Sequence, residues 1–282
     1  MDSQEGGTIT LRDGRKLGYA AYGDPAGAPA FYFHGTPGSR LEAALLDDAA
    51  RTHGVRLIGV DRPGFGRSDF KKKRQIRDWP DDVAELADAL GIERFAVVGL
   101  SGGGPHVAAC ALALAPRLTA AAIVSGAGPA NARITPEMGW LRRTLYRAWL
   151  VTVPIFTPLF VWQMMLSVRH LPASRWPRYI DPRVLSRPGM RAEFKRDLVE
   201  AFQHGSRGAA HEYVLFSRPW HFALSDIAMP VRLWHGEADQ IVPIAVGRFV
   251  AAAIPDCEAT YFAGEGHLLI VDHTAEIAAA LR

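Results

Sequence analysis

Cysteine is scarce in this chain, with two in 282 residues. Cys110 falls in an apolar, helix-like run and Cys257 just ahead of a strand-like one, so no disulfide framework is expected and Cys110 reads as a small core residue. A large excess of one charge is missing too: 32 Lys and Arg against 29 Asp and Glu leave a formal net charge of +3. The single dense basic run, Lys71-Lys72-Lys73-Arg74, carries no aromatic stacking pattern and reads as a solvated loop, not a nucleic-acid site. The histidines, among them His53, His170, His204, His211 and His221, lack metal-ligand spacing, and neither a metal nor a cofactor is expected. The polar start Met1-Asp2-Ser3-Gln4-Glu5-Gly6-Gly7 has neither the basic nor the apolar part of a secretory signal, which leads to the expectation of a cytoplasmic protein. Internal repeats and low-complexity tracts are absent.

Charge vanishes altogether from Ala148 to Val168, between Arg147 and Arg169, and that length alone would cross a bilayer. Pro154 and Pro158 interrupt the stretch, and Thr152, Thr157, Gln163 and Ser167 are polar. It is therefore read as a buried or interfacial lid segment, and membrane association is not expected.

What is present is an alternation. Thr8–Leu11 and Leu17–Tyr22 flank Asp13-Gly14 as a hairpin, and Pro29–Phe33 is a buried strand. A helix follows with Leu41, Ala44, Leu45 and Ala49 on its apolar face, then the strand Val55–Val60 and a helix from about Trp79 to Leu90 that stops at Gly91. Phe95–Val98 and Ala120–Val124 are strands around a helix near Val107–Leu114. This pattern predicts an α/β protein with a mostly parallel twisted sheet and helices on both faces. From 131 to 225 the rhythm breaks: helical patterns run without a convincing strand and hold five of the seven tryptophans, Trp140, Trp149, Trp162, Trp176 and Trp220. Alternation resumes with Val231–His235, a helix near Ile244–Ala253, the strand Ala259–Phe262 and a last helix from about Thr274 to Leu281. The division follows as a core of residues 1–130 and 226–282 with a helical cap at 131–225.

The core is organised around Gly99-Leu100-Ser101-Gly102-Gly103-Gly104, between a strand and a helix. A serine at the apex of so tight a turn needs small neighbours two positions to either side, and Gly99 and Gly103 supply them. Alone this is a glycine-rich turn. It gains meaning because Asp239 and His267 also fall after strands, in the order serine, acid, histidine, where open α/β sheets place their sites. Each has an ordinary reading too, Asp239 as a turn or capping residue before Pro243 and His267 as a loop residue.

Taken with His34-Gly35, with Asp61-Arg62-Pro63-Gly64-Phe65-Gly66-Arg67-Ser68 and with His235-Gly236, these residues resemble the α/β-hydrolase fold superfamily, in its serine-nucleophile branch with a helical cap. The resemblance implies Ser101 as nucleophile, His267 as general base and then acid, and Asp239 as the carboxylate that orients the imidazole. Glu237 is the rival acid but lacks the family spacing. The resemblance also implies an oxyanion hole from the backbone N–H groups of Thr36 and Gly102, since Pro37 has none to donate. His34 is read as pinning this loop, Asp61 with Arg62 as an ordered turn, and His106 receives no role. Serine in place of the aspartate used by epoxide- and halide-processing members argues against both chemistries, while cofactor-free oxidants of the family keep the serine.

The expected function is cleavage of a carboxylic ester through an acyl-enzyme, with the Trp-, Phe-, Leu- and Met-rich cap favouring an apolar acyl or alcohol group. Lactone, carbon–carbon and peptide-end hydrolysis use the same triad, although aminopeptidase relatives show a further glycine where this chain has Thr36-Pro37. A small-molecule receptor with an idle triad is the reading from another class.

Overall fold

The computed structural model describes residues 6–133, 140–172 and 181–282. Its strands are β1 (Gly6–Thr10), β2 (Lys16–Gly23), β3 (Ala28–Phe33), β4 (Val55–Val60), β5 (Phe95–Leu100), β6 (Leu118–Val124), β7 (Val231–Gly236) and β8 (Cys257–Phe262). They form one sheet in the order β1-β2-β4-β3-β5-β6-β7-β8. β2 pairs antiparallel with β1 and β4, and the other pairings are parallel. The expected α/β class and mostly parallel sheet are what the structure has.

β5 shows why the centre of this sheet forms. Its sequence Phe-Ala-Val-Val-Gly-Leu is buried at every position, as a parallel strand covered on both faces requires. Phe95 and Val97 enter the core on one face with Phe31 and Phe33 of β3, while Ala96, Val98 and Leu100 enter the other with Ala30 and Tyr32. The first face is covered by α2 (Trp79–Ala89), α3 (Gly104–Ala113) and α8 (Ile244–Ala253), the second by α1 (Asp47–Thr52) and α9 (Thr274–Ala279). Edge-on aromatic pairs, Phe31 with Phe95 at 4.8 Å and Phe33 with Trp79 at 5.3 Å, lock the first face. Each such pair adds about 0.5–1.5 kcal/mol beyond area burial.

One expected helix differs. Arg40–Leu46 is a 3₁₀ helix leading into α1, and the side chains it turns inward are Arg40, Glu42, Ala43 and Leu46. Leu41, Ala44, Leu45 and Ala49 stay partly exposed. A turn of 3.0 residues instead of 3.6 rotates the buried face away from the one an α-helical period selects.

Between β6 and β7 the described residues are helical, with α4 (Trp140–His170), α5 (Pro182–Leu185), α6 (Met190–Ala201) and α7 (Arg207–Phe216). Trp176 lies outside the described residues. Val161, Met165 and Val168 of α4 pack with Leu198, Ala201, Phe202, Ala209 and Ala210 around Phe65, a small core of their own. Leu215 and Trp220 instead bury with the main sheet. This helical stretch meets the loop after β4 closely at Gly208, where a Cβ would overlap the carbonyl oxygen of Gly64. Only a residue without a side chain lets α7 sit there.

Candidate active site

The chain leaves β3 toward β4 on one side and leaves β5 toward β6 on the other, so the loops after these adjacent strands diverge. Such a switch point opens a crevice at the carboxyl ends of the strands. Ser101 stands there with φ +52°, a left-handed conformation rare for a residue with a side chain. A Cβ on Gly99 would lie 2.6 Å from the Gly103 backbone, and one on Gly103 would overlap the carbonyl oxygen of Phe33. The two glycines are thus what allows the tight turn that holds Ser101 out of the sheet.

Asp239 and His267, 28 residues apart, are joined directly. His267 Nδ1 lies 2.7 Å from Asp239 Oδ2, and both residues are buried. An ionised carboxylate only accepts, so Nδ1 carries the proton and Nε2 is left as the basic nitrogen. Asp239 Oδ1 accepts the N–H groups of Ile241 and Val242 at 2.8 and 2.9 Å, so the same side chain also shapes the turn before Pro243. Burial works to raise its pKa, but hydrogen bonds from His235 and His267 outweigh it and hold it below the usual carboxylate range. Glu237 is on the surface, paired with Arg248 at 3.1 Å. His267 makes no hydrogen bond to Ser101, whose hydroxyl has no partner among the described residues.

The loop after β3 supplies the other wall. A Cβ on Gly102 would overlap Thr36 Oγ1, and one on Gly35 would lie 3.7 Å from Ser101 Cβ, so Gly35, Thr36, Ser101 and Gly102 form one contact group. Gly102 occupies the first turn after Ser101, where N–H groups lack helical acceptors, and the Thr36 N–H has no acceptor among the described residues. Two backbone N–H groups without an acceptor in the helix or the loop therefore belong to the contact group around Ser101.

His34 is buried under this loop, where burial and the Arg62 charge keep its pKa far below its ordinary value. The neutral ring donates from Nδ1 to Gly35 O at 2.7 Å and accepts Arg62 N–H at Nε2 at 3.1 Å, the expected pinning. His106 is buried too, taken down to about 3 chiefly by burial and then by Arg62, and its Nδ1 bonds Gly102 O at 3.0 Å.

Sequence reasoning missed what fastens the loop. Arg62 is fully buried, and its guanidinium donates to His34 O, to Gly35 O at 3.0 Å and to Thr36 Oγ1 at 2.9 Å. Its counter-charge is Glu212 of α7, held by two parallel bonds of 2.9 and 2.8 Å. Glu212 also accepts from Arg74 at 2.8 Å and from Thr36 Oγ1 at 2.7 Å. Burial pushes this carboxyl up, but the two arginines overcome that and hold it well below the usual range. Tyr213, next in α7, donates its hydroxyl to Thr36 O at 2.9 Å. At the other end of the site, Asp181 caps α5 and accepts the N–H of Leu268, adjacent to His267, at 3.1 Å.

Glu42 was missed as well. It is buried behind the loop, where Oε2 accepts the Gly35 N–H at 2.6 Å and the Tyr32 hydroxyl at 3.1 Å. Burial pushes its carboxyl up to about 7. The only signal in the sequence for Glu212 was the need of a buried Arg62 for an acid. That need does not choose among Glu193, Asp197, Glu200 and Glu212. For Glu42 the signal was a 3₁₀ period that an α-helical reading passes over.

Comparison with known proteins matches a model of the alpha/beta hydrolase family to residues 27–280. The chain is 30% identical over 255 residues to a non-heme chloroperoxidase of Streptomyces lividans, spanning 85% of this chain and 84% of that one. It is 27% identical over 251 residues to a bifunctional esterase/perhydrolase of Acinetobacter calcoaceticus, with the same shares of 85% and 84%. Among solved structures, an esterase from Exiguobacterium antarcticum superposes with a TM-score of 0.71 at 19% identity, over 97% of this chain and 96% of that one, a likeness of fold.

Proposed function

The chain belongs to the alpha/beta hydrolase family, and on that premise we propose that it hydrolyses carboxylic esters through an acyl-enzyme on Ser101. The observation that carries this is the 2.7 Å bond between His267 and Asp239 at the same sheet rim as a serine held at φ +52°.

In this reading Ser101 Oγ attacks the ester carbonyl while its proton passes to His267 Nε2. Asp239 keeps the proton of Nδ1 in place and stabilises the imidazolium. The oxyanion takes hydrogen bonds from the Thr36 and Gly102 N–H groups, each such donor contributing about 10²–10³ in rate. His267 then protonates the leaving alcohol, and water activated by the same nitrogen releases the acid. A carboxylic ester with an apolar group fits the site's lining, because a Cβ on Gly102 would lie 3.1 Å from the ring of Phe216, which puts an aromatic edge beside the oxyanion position. Residues 131–225 act in this reading as a cap, whose side toward Thr36 and Gly102, carried by Glu212, Tyr213 and Phe216, completes the pocket.

The test is a fluorophosphonate probe with mass mapping, run with a series of esters of increasing chain length. Prompt labelling at Ser101, lost in Ser101→Ala and much reduced in His267→Ala, is the expected result. A folded wild type that neither labels nor turns over any ester would refute the proposal and favour a receptor.

The two relatives named chloroperoxidase and esterase/perhydrolase favour a second reaction of the same intermediate. Hydrogen peroxide in place of water would take the acyl group from Ser101, giving a peracid and the free serine hydroxyl. Peracid formation from an ester and peroxide, absent in Ser101→Ala, tests it.

A further inference from the structure

α4 is apolar on two faces but buries only one. Thr157, Val161, Met165 and Val168, at helical spacing, pack inward. On the other side Val151, Ile155, Phe156, Leu159, Phe160 and Trp162 are between 49% and 74% exposed. A helix on a protein in water normally carries polar residues there, and a contiguous apolar patch of this kind marks a contact surface. Beside it, between the loop 70–76 and α7, runs a groove of about 860 Å³ whose lining includes Pro158 of α4 together with Lys72, Lys73, Arg207 and Arg218. Among the described residues no acidic side chain lines the groove. Among the described residues Lys72, Lys73 and Arg218 form no salt bridge, and α4 itself contains no acid.

We propose that this face docks the protein on an anionic lipid surface, with the outer side of α4 lying in the interface and the basic groove against the headgroups. An apolar helix face flanked by cations is the pattern of an interfacial helix. The charge points to the occupant, since the described lining of the groove is basic and without an acid, the complement of an anionic surface, whereas a second copy meeting the same face would bring only cations and apolar side chains to it. α4 lies on the surface and does not cross it, because its inner side, Val161, Met165 and Val168, is packed on the protein. The sequence expectation of no membrane association is the one this surface argues against. The proposal is independent of the chemistry at Ser101.

The experiment is sedimentation of the full-length protein with vesicles of phosphatidylcholine alone and of equimolar phosphatidylcholine and phosphatidylglycerol. Binding to the anionic vesicles that weakens at high salt, with little to the neutral ones, is expected. Each cation near such a surface contributes about fivefold to partitioning, so Lys72→Gln/Lys73→Gln/Arg218→Gln should bind about 100-fold more weakly. Ile155→Ser/Phe160→Ser should lose binding, while both variants keep wild-type melting and turnover of a soluble ester. Failure of the wild type to bind anionic vesicles would overturn the proposal. So would a dimer in light scattering that Ile155→Ser/Phe160→Ser abolishes, or resistance of the cell-expressed protein to alkaline extraction from membranes, which would mean that it spans them.

Discussion

Replacing Glu212 by glutamine tests whether the insertion holds the loop of Gly35 and Thr36 in place. The carboxylate now takes four hydrogen bonds, two from Arg62, one from Arg74 and one from Thr36. A glutamine oxygen can keep the two donors that share Oε1, Arg62 Nε and Arg74 Nη2. Its NH₂ group then faces Arg62 Nη2, donor against donor, and no anion remains beside two buried guanidinium groups. One charge-assisted bond contributes about 1.5–3 kcal/mol, and breaking a buried pair from one side costs about 3–5 kcal/mol in all. For a chain of this length that is a fall of roughly 5–8 °C in melting temperature. Because the Glu212 pKa is depressed in the folded state, its stabilisation is complete above the ordinary carboxylate value of 4.5 and is lost as pH falls through the lower folded value. The gap between wild type and Glu212→Gln should therefore be full at pH 7 and shrink below about pH 4.5. Loosening Thr36 should also lower kcat by roughly 10- to 100-fold. Urea unfolding at both pH values and ester kinetics check this. A variant within about 1 kcal/mol of wild type at pH 7 with unchanged kcat would refute the network's role.

Other substitutions separate buried from exposed chemistry. Glu42 has the opposite sign: its folded pKa is raised to about 7, so the fold is penalised increasingly as pH rises from 4.5 to 7 and by a constant amount beyond. Glu42→Gln, which keeps an acceptor for Gly35 N–H, should gain on the order of 3 kcal/mol at pH 8 and almost nothing at pH 4, read by urea unfolding. Gly208→Ala should lower the melting temperature and kcat together, because its methyl group would overlap the Gly64 carbonyl and must push α7 away, at a cost of about 1–3 kcal/mol. Glu237→Gln removes only a surface pair with Arg248 and should stay within about 1 kcal/mol of wild type with unchanged activity.

Much of the architecture was legible from the chain alone, because it is written in short-range signals. The apolar runs of β3, β4 and β5, the stop at Gly91 and the small residues around Ser101 depend on neighbours within a few positions. What folding alone decided lies in pairings across long stretches of chain. Glu212 is 150 residues from Arg62 and Asp181 is 87 from Leu268, and no local period says which acid of the insertion will be drawn under the loop. Burying Arg62 requires an anion, but only the packing of α7 through Gly208 selects one. The outer face of α4 belongs to the same category: its composition suits a core, a bilayer or an interface equally, and the tertiary structure decides by covering one side and leaving the other bare.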